Sequence, residues 1–433
     1  MQTKNKRKIP LISITLLAIS LVLSPFFMHV WDMNILTQTL KLIDNGINPF
    51  SYYYEKTRAI QESTNLPVFV EGYTYPVLLA HIFYPFYKLY VHFYGIASPI
   101  TTSIQVLHLL DVKFVDSVFM YNLIIKLPLI LLLFVTSYFM EKYGKKKYLL
   151  IISLLYAMLI TSVLGMSEII VGLSLLFFVY FFEQKRYIES GIFYAFSLVK
   201  PYTIILLPYI AYKLMKTNRK LLNLAMFLIP VFIIHIPTLL YFLKDPTAFI
   251  YSTYMLQKER IMGGITFANS IWTVEDFWFD YSVSKIYSLF FIASYLVVLV
   301  FTMRSKLRFY EAILLLMVVF LFSSKVVNEQ YFLAVLPLFY LIDDKYLNRL
   351  LTLLIIFIFI RINPVYFSAP LLYEKLPSYE TFITQYYSFV SAPIINRMIK
   401  LSLYVIGLLF SLHLFLYMLP YRKKDIRRRE VEV

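Results

Sequence analysis

Apolar runs recur along the chain from residue 9 to residue 419, and short clusters of lysine and arginine separate many of them. A bilayer-crossing helix needs roughly 20 mostly apolar residues. Runs near that length lie at 9–28, 118–140, 221–243, 284–303 and 398–419. Shorter ones lie at 149–164, 167–183, 187–199, 201–214, 309–323, 330–342 and 348–362. Short, proline-interrupted segments are tolerated at membrane depth only where protein shields them or a cavity receives them, so they predict a central cleft. The stretch from Pro76 to Val115 must begin and end on one side, as two crossings or as a re-entrant pair. The expected fold is an all-α polytopic membrane protein with about 12–14 transmembrane or re-entrant helices, forming a single transmembrane domain over residues 1–433.

The basic clusters assign the sides, because Lys and Arg in short loops favour the cytoplasm. They are the N-terminus, Lys142 to Lys147, Lys185 with Arg186, Lys213 to Lys220, Arg304 to Arg308, Lys345 to Arg349, and Arg422 to Arg429. Both termini are then cytoplasmic, and three longer polar segments, 29–75, 244–283 and 363–397, face outward. Aromatic residues run through them (Phe50, Tyr52 to Tyr54, Phe277, Trp278), as expected for amphipathic helices lying over the bundle. Lys4 to Lys8 before the first apolar run resembles a signal-peptide start, but no small-residue cleavage site follows, so an uncleaved first helix is expected.

Composition agrees: 60% of residues are hydrophobic, 15% are charged and mean hydropathy is +0.70, whereas soluble domains are about 25% charged. The net charge of +16 lies in the loop clusters and not in a basic domain, which argues against nucleic acid as a partner. The absence of cysteine excludes disulfides and Cys-based metal or redox chemistry.

Several polar residues fall on the outer side under this threading. Asp32, in HVWDMN, follows the first helix closely. It is either the N-cap of an amphipathic helix from Met33 to Ile43 or a general base at the water–lipid boundary. Gly46, Pro49 and Pro76, in NGINPF and EGYTYP, read alone as turn punctuation. Lys200, in FSLVKPYTIILLP, stands between two half-length apolar runs. It either snorkels to headgroups or receives a phosphate where Pro201 breaks the helix. The segment SKVVNEQYFLAVLP repeats that design with Lys325, Asn328, Glu329 and Gln330, and Glu168 lies on the same face between two runs. Lys126, inside the 118–140 run, has no evident place in this scheme.

The aspartate after helix one, NGINPF to YTYP, VKPY and SKVVNEQYFLAVLP, in that order, resemble the GT-C class of integral membrane glycosyltransferases. Within it the resemblance is to the mannosyltransferases of glycolipid-anchor assembly and related prokaryotic enzymes, at the level of layout over most of the chain. The resemblance implies an enzyme of a prokaryotic plasma membrane whose active site faces outward. It would transfer a hexose, mannose favoured, with inversion, from a polyprenyl-phosphate sugar donor to a glycolipid or glycan acceptor among membrane lipids. Asp32 would be the base, and Lys200 and Lys325 would hold the donor phosphate. Asn34, Tyr75, Glu168, Asn328, Glu329 and Gln330 would contact substrate. The first outer loop reads Asp32-Met33-Asn34 where those mannosyltransferases have Asp-x-Asp, and LGMSE stands where several relatives have Trp-Gly-Gln and an acidic residue. No metal and no other cofactor is therefore expected. The alternatives are a transporter or flippase of an anionic lipid or solute, and a ligase or polymerase of lipid-linked glycans.

Overall fold

The structure, a computed structural model, describes residues 10–64, 75–95, 118–143, 147–255, 263–264, 281–324, 326–327, 329–342, 344–361 and 377–419. Its first part comprises α1 (Leu11–Leu23), α2 (Val30–Asp44), α3 (Pro49–Thr64), α4 (Val77–Tyr94), α5 (Val118–Tyr143) and α6 (Lys147–Met158). There follow α7 (Glu168–Glu183), α8 (Tyr187–Ser197), α9 (Leu207–Met215), α10 (Lys220–Ile234), α11 (Ile236–Lys244) and α12 (Pro246–Ile250). The last part holds α13 (Tyr281–Arg304), α14 (Phe309–Ser323), α15 (Leu336–Phe339), α16 (Lys345–Arg361), α17 (Pro377–Ser391) and α18 (Pro393–Met418). The only extended pairing among the described residues is a parallel bridge of Gly263–Gly264 with Val326–Val327.

The protein is thus helical, and a few of its helices are fit to cross a membrane. Among the described residues, Phe119–Lys142 and Ile394–Met418 are long and apolar enough, and α10 with α11 forms a third candidate bent by 61°. Leu11–Leu23, Ile151–Val163, Ser288–Arg304 and Phe309–Ser323 are apolar but shorter. Helices on the periphery carry large apolar side chains outward, such as Leu221 (76% exposed), Phe232 (67%) and Val297 (69%). Apolar surface repeated over several helices is compatible with a lipid cover. By contrast α14 is buried all round, from Phe309 to Ser323 apart from Val319, as an evenly apolar helix should be.

Several predicted runs fold differently, and prolines account for much of the difference. Helix one ends at Leu23, and the chain turns at Pro25 before it reaches residue 28. The 221–243 run breaks at His235, just before Pro237. The 201–214 run opens as a 3-10 turn at Pro201–Leu206 before α9. The 330–342 run forms no span: a 3-10 turn, Glu329–Ala334, leads into the single helical turn of α15, where Pro337 lacks an amide donor. The 149–164 run loosens from α6 into a π turn at Leu159–Val163. Of the Pro76 to Val115 stretch, α4 is described, while residues 96–117 lie outside the described set.

Packing places the ends of these helices. Glu141, near the end of α5, accepts hydrogen bonds from Ile12 N, Ser13 N and Ser13 Oγ, capping the first turn of α1. The start of α1 therefore lies beside the end of α5. Phe182 stacks on Phe309 with ring centroids 3.9 Å apart, Tyr212 donates to Met303 O at 2.6 Å, and Tyr310 donates to Leu341 O at 3.2 Å. These contacts gather the ends of α7, α9, α13 and α15 with the start of α14. The clusters Lys185–Arg186, Lys213–Lys220, Arg304–Arg308 and Lys345–Arg349 border them, so these basic groups share one end of the bundle. Glycine allows one close helix pair: a Cβ on Gly191 of α8 would lie 2.2 Å from Phe227 O of α10. Small residues of this kind let membrane helices approach, where apolar burial supplies little drive between them.

Candidate active site

The polar residues gather at the other end of α7, about 22 Å from its basic end at 1.5 Å rise per residue. Gly165, with φ of +80°, turns the chain from the π turn into α7, and Glu168 begins that helix fully buried. Lys200 precedes Pro201, which steers it to extended backbone (φ −117°, ψ 117°) between α8 and the 3-10 turn. Thr203 Oγ1 pins the junction through Ser197 O at 3.0 Å and Lys200 O at 3.2 Å. Lys200 Nζ then stands 3.0 Å from Glu168 Oε1. Its side chain is only 3% exposed, so Lys200 does not snorkel to headgroups. Besides Lys200, the carboxylate interacts with the backbone amide of its own residue at the helix start.

Aromatic rings enclose this pair. The ring of Tyr75, just before α4, lies under the Lys200 ammonium at 3.7 Å from its centroid, within cation–π range. Tyr202 stacks on Phe320 (5.1 Å) and packs tilted against Tyr331 (4.9 Å), these two rings also lying 6.4 Å apart, and Tyr331 is within electrostatic reach of Lys200. The 3-10 turn carrying Gln330 and Tyr331 packs on α7, which buries Gln330.

Asp32 approaches from α2. The helix starts at Val30 and not at Met33, and its cap is His29, whose Nδ1 accepts the Asp32 amide at 3.1 Å. Asp32 is therefore the third residue of the helix and not its cap, which leaves its carboxylate free of that duty. His29 Nδ1 lies 3.6 Å from Asp32 Oδ2, beyond hydrogen-bond length, and the Asp32 side chain is 32% exposed. The Asp32 charge acts on both Glu168 and Lys200. One partly open carboxylate thus lies within electrostatic reach of a closed ion pair.

Of the expected site residues, Asp32, Tyr75, Glu168 and Lys200 converge, with Gln330 on the turn that packs beside them. Asn34 sits half-buried on α2, and no contact joins it to the pair among the described residues. Glu329 opens the 3-10 turn, while Lys325 and Asn328 lie outside the described residues. Sequence reasoning passed over Tyr202, Tyr331 and His29, although all three lie inside or beside the motifs it singled out.

At the far end of α2 from Asp32, Asp44 clamps α2 to α4 by accepting from Lys88 Nζ and Tyr84 OH, both at 2.8 Å. The hydrogen bond from the Lys88 ammonium, helped by that from Tyr84, holds the Asp44 carboxyl below its usual range. Chemically, the arrangement offers a base, a desolvated cation with its counter-charge, and ring faces suited to apolar surfaces of sugars or lipid. No protein-family model matches the chain and no curated protein matches it in sequence, so its functional reading rests on these residues.

Proposed function

We propose that this protein is a polytopic GT-C-type glycosyltransferase of a prokaryotic plasma membrane. It moves a hexose, mannose favoured, from a polyprenyl-phosphate donor to a glycolipid or glycan acceptor at the non-cytoplasmic face, with inversion. The observation that carries this reading is the convergence of Asp32, Tyr75, Glu168 and Lys200, four residues spread over three distant parts of the sequence, at the end of the bundle opposite the basic clusters. Basic clusters favour the cytoplasmic side, so the site would open outward.

The chemistry follows from the charges. As the acceptor oxygen attacks the anomeric carbon, Asp32 takes its proton, and the bond from that carbon to the phosphate oxygen breaks on the opposite face. The departing lipid phosphate gains a second negative charge. Lys200, held in apolar surroundings, is suited to stabilise that charge more strongly than a hydrated lysine does. Before the donor arrives, Glu168 balances Lys200, and its free carboxylate oxygen is available to sugar hydroxyls.

The test uses purified protein in liposomes with a polyprenyl-phosphoryl mannose donor and a glycolipid acceptor. Asp32→Asn is expected to lower kcat by about 10² to 10⁴-fold with donor KM little changed, and Lys200→Ala to raise donor KM. Wild-type turnover in Asp32→Asn removes Asp32 as the base. A second reading, transport of an anionic lipid, draws on the same buried ion pair beside a broken helix. Movement of labelled polyprenyl phosphate across the bilayer without sugar transfer favours it. Transfer of whole lipid-linked glycans in place of single sugars favours a ligase or polymerase.

A further inference from the structure

Lys126 is fully buried in the middle of α5, on the same helix face as Asn122. Its ammonium donates to Ser24 O at 2.8 Å, to Val163 O at 2.8 Å and to Phe27 O. An ammonium has three protons, and all three are committed to carbonyls. No proton remains for a phosphate, which separates Lys126 from Lys200 in role. One helical turn away, Asn122 Nδ2 donates to Pro25 O at 3.1 Å. The acceptors are the carbonyls where α1 and the π turn end, the sites where a helix leaves unpaired acceptors and partial negative charge.

These two chain turns lead directly into the site. The first, residues 24–27, runs into His29 and Asp32; the second, at residues 163–165, runs into Glu168. They are also joined by His29 N donating to Leu164 O at 2.8 Å. A Cβ on Gly165 would meet Met33 Sδ at 2.9 Å and Lys126 Cε at 3.0 Å, so the helix bearing Asp32, the turn before Glu168 and the lysine stem are in direct contact. From Tyr121, on the same helix as Lys126, a further hydrogen bond to Thr37 holds α2 itself.

We propose that Lys126 is the positioning residue of the site: by binding the carbonyls of both turns, it sets the placement of Asp32 relative to the Glu168–Lys200 pair. The proposal rests on the glycosyltransferase reading for its catalytic consequence, while its geometric consequence stands apart from that reading. Lys126→Met keeps an unbranched side chain, shorter by the terminal nitrogen, and removes all three hydrogen bonds. Because the chain has no cysteine, spin labels placed by Gln38→Cys on α2 and Tyr180→Cys on α7 report the spacing of the two helices.

The expected result in liposomes is a shifted or broadened label distance in Lys126→Met, a kcat lower by about 10²-fold, and a donor KM within about twofold of wild type. An unchanged distance, or a loss of donor affinity in step with kcat, overturns the proposal. A changed distance in a protein whose wild type transfers no sugar overturns the glycosyltransferase reading and leaves the positioning role standing. Should Lys126→Met fail to fold, Asn122→Ala removes only the bond to Pro25, and it is expected to shift the same distance and kcat in the same direction by less. No shift in that variant also refutes the proposal.

Discussion

Breaking the Glu168–Lys200 pair from one side should cost far more than removing it whole. At 3.0 Å and an effective dielectric of about 20, the two charges attract by about 5.5 kcal/mol. Desolvating each ion costs several kcal/mol, so the intact pair is close to neutral for stability against an uncharged replacement. Removing one partner leaves the other charge buried and unpaired, a loss of about 3–5 kcal/mol. Lys200→Met and Glu168→Gln are therefore each expected to destabilise the protein by that amount, whereas the double variant loses no more than the worse single one. Equilibrium unfolding in mixed detergent micelles, run as a double-mutant cycle, measures this. Single effects that add to within about 0.5 kcal/mol refute the coupling and with it the closed ion pair.

The Asp44 clamp predicts a local pH dependence. Because its folded-state carboxyl is held below the usual value, it contributes stability that is complete above the unfolded value and is lost as pH falls through the lower folded one. Amide exchange in α2 should then accelerate on acidification below about pH 4, and Asp44→Asn should abolish that acid response; an unaltered response in the variant excludes Asp44 as its source. Gly191→Ala would set a methyl against the backbone carbonyl of Phe227, which cannot rotate away as a side chain can. The helices must part, costing about 1–3 kcal/mol. Thermal unfolding in detergent checks this, and an unchanged midpoint shows that α8 and α10 do not meet there.

Hydropathy and charge alone determined that the chain is helical and carries helices fit for a membrane. They also marked Lys200 and Glu168 as polar residues at breaks in apolar runs. These are local properties: a run of apolar side chains, or a proline after a lysine, acts through its own neighbours. The same local rules started α2 at Met33 and offered Asp32 as its cap beside its reading as a base, because histidine is rarely a cap and His29 gave no such signal. They also read 330–342 as one span, although a 3-10 turn and Pro337 divide it.

Tertiary structure decided which residues meet. Nothing in the spacing of Glu168 and Lys200 announces an ion pair, since Glu168 begins α7 while Lys200 lies past the end of α8, and their contact depends on how α7 and α8 pack. Lys126 shows the limit most plainly. In sequence it is an unexplained charge within an apolar helix, hinted at only by Asn122 one turn before it. Its function became legible once the ends of α1 and the π turn were seen to bring three carbonyls to it. A buried charge is explained by its partners, and its partners come from parts of the chain that local periodicity does not connect.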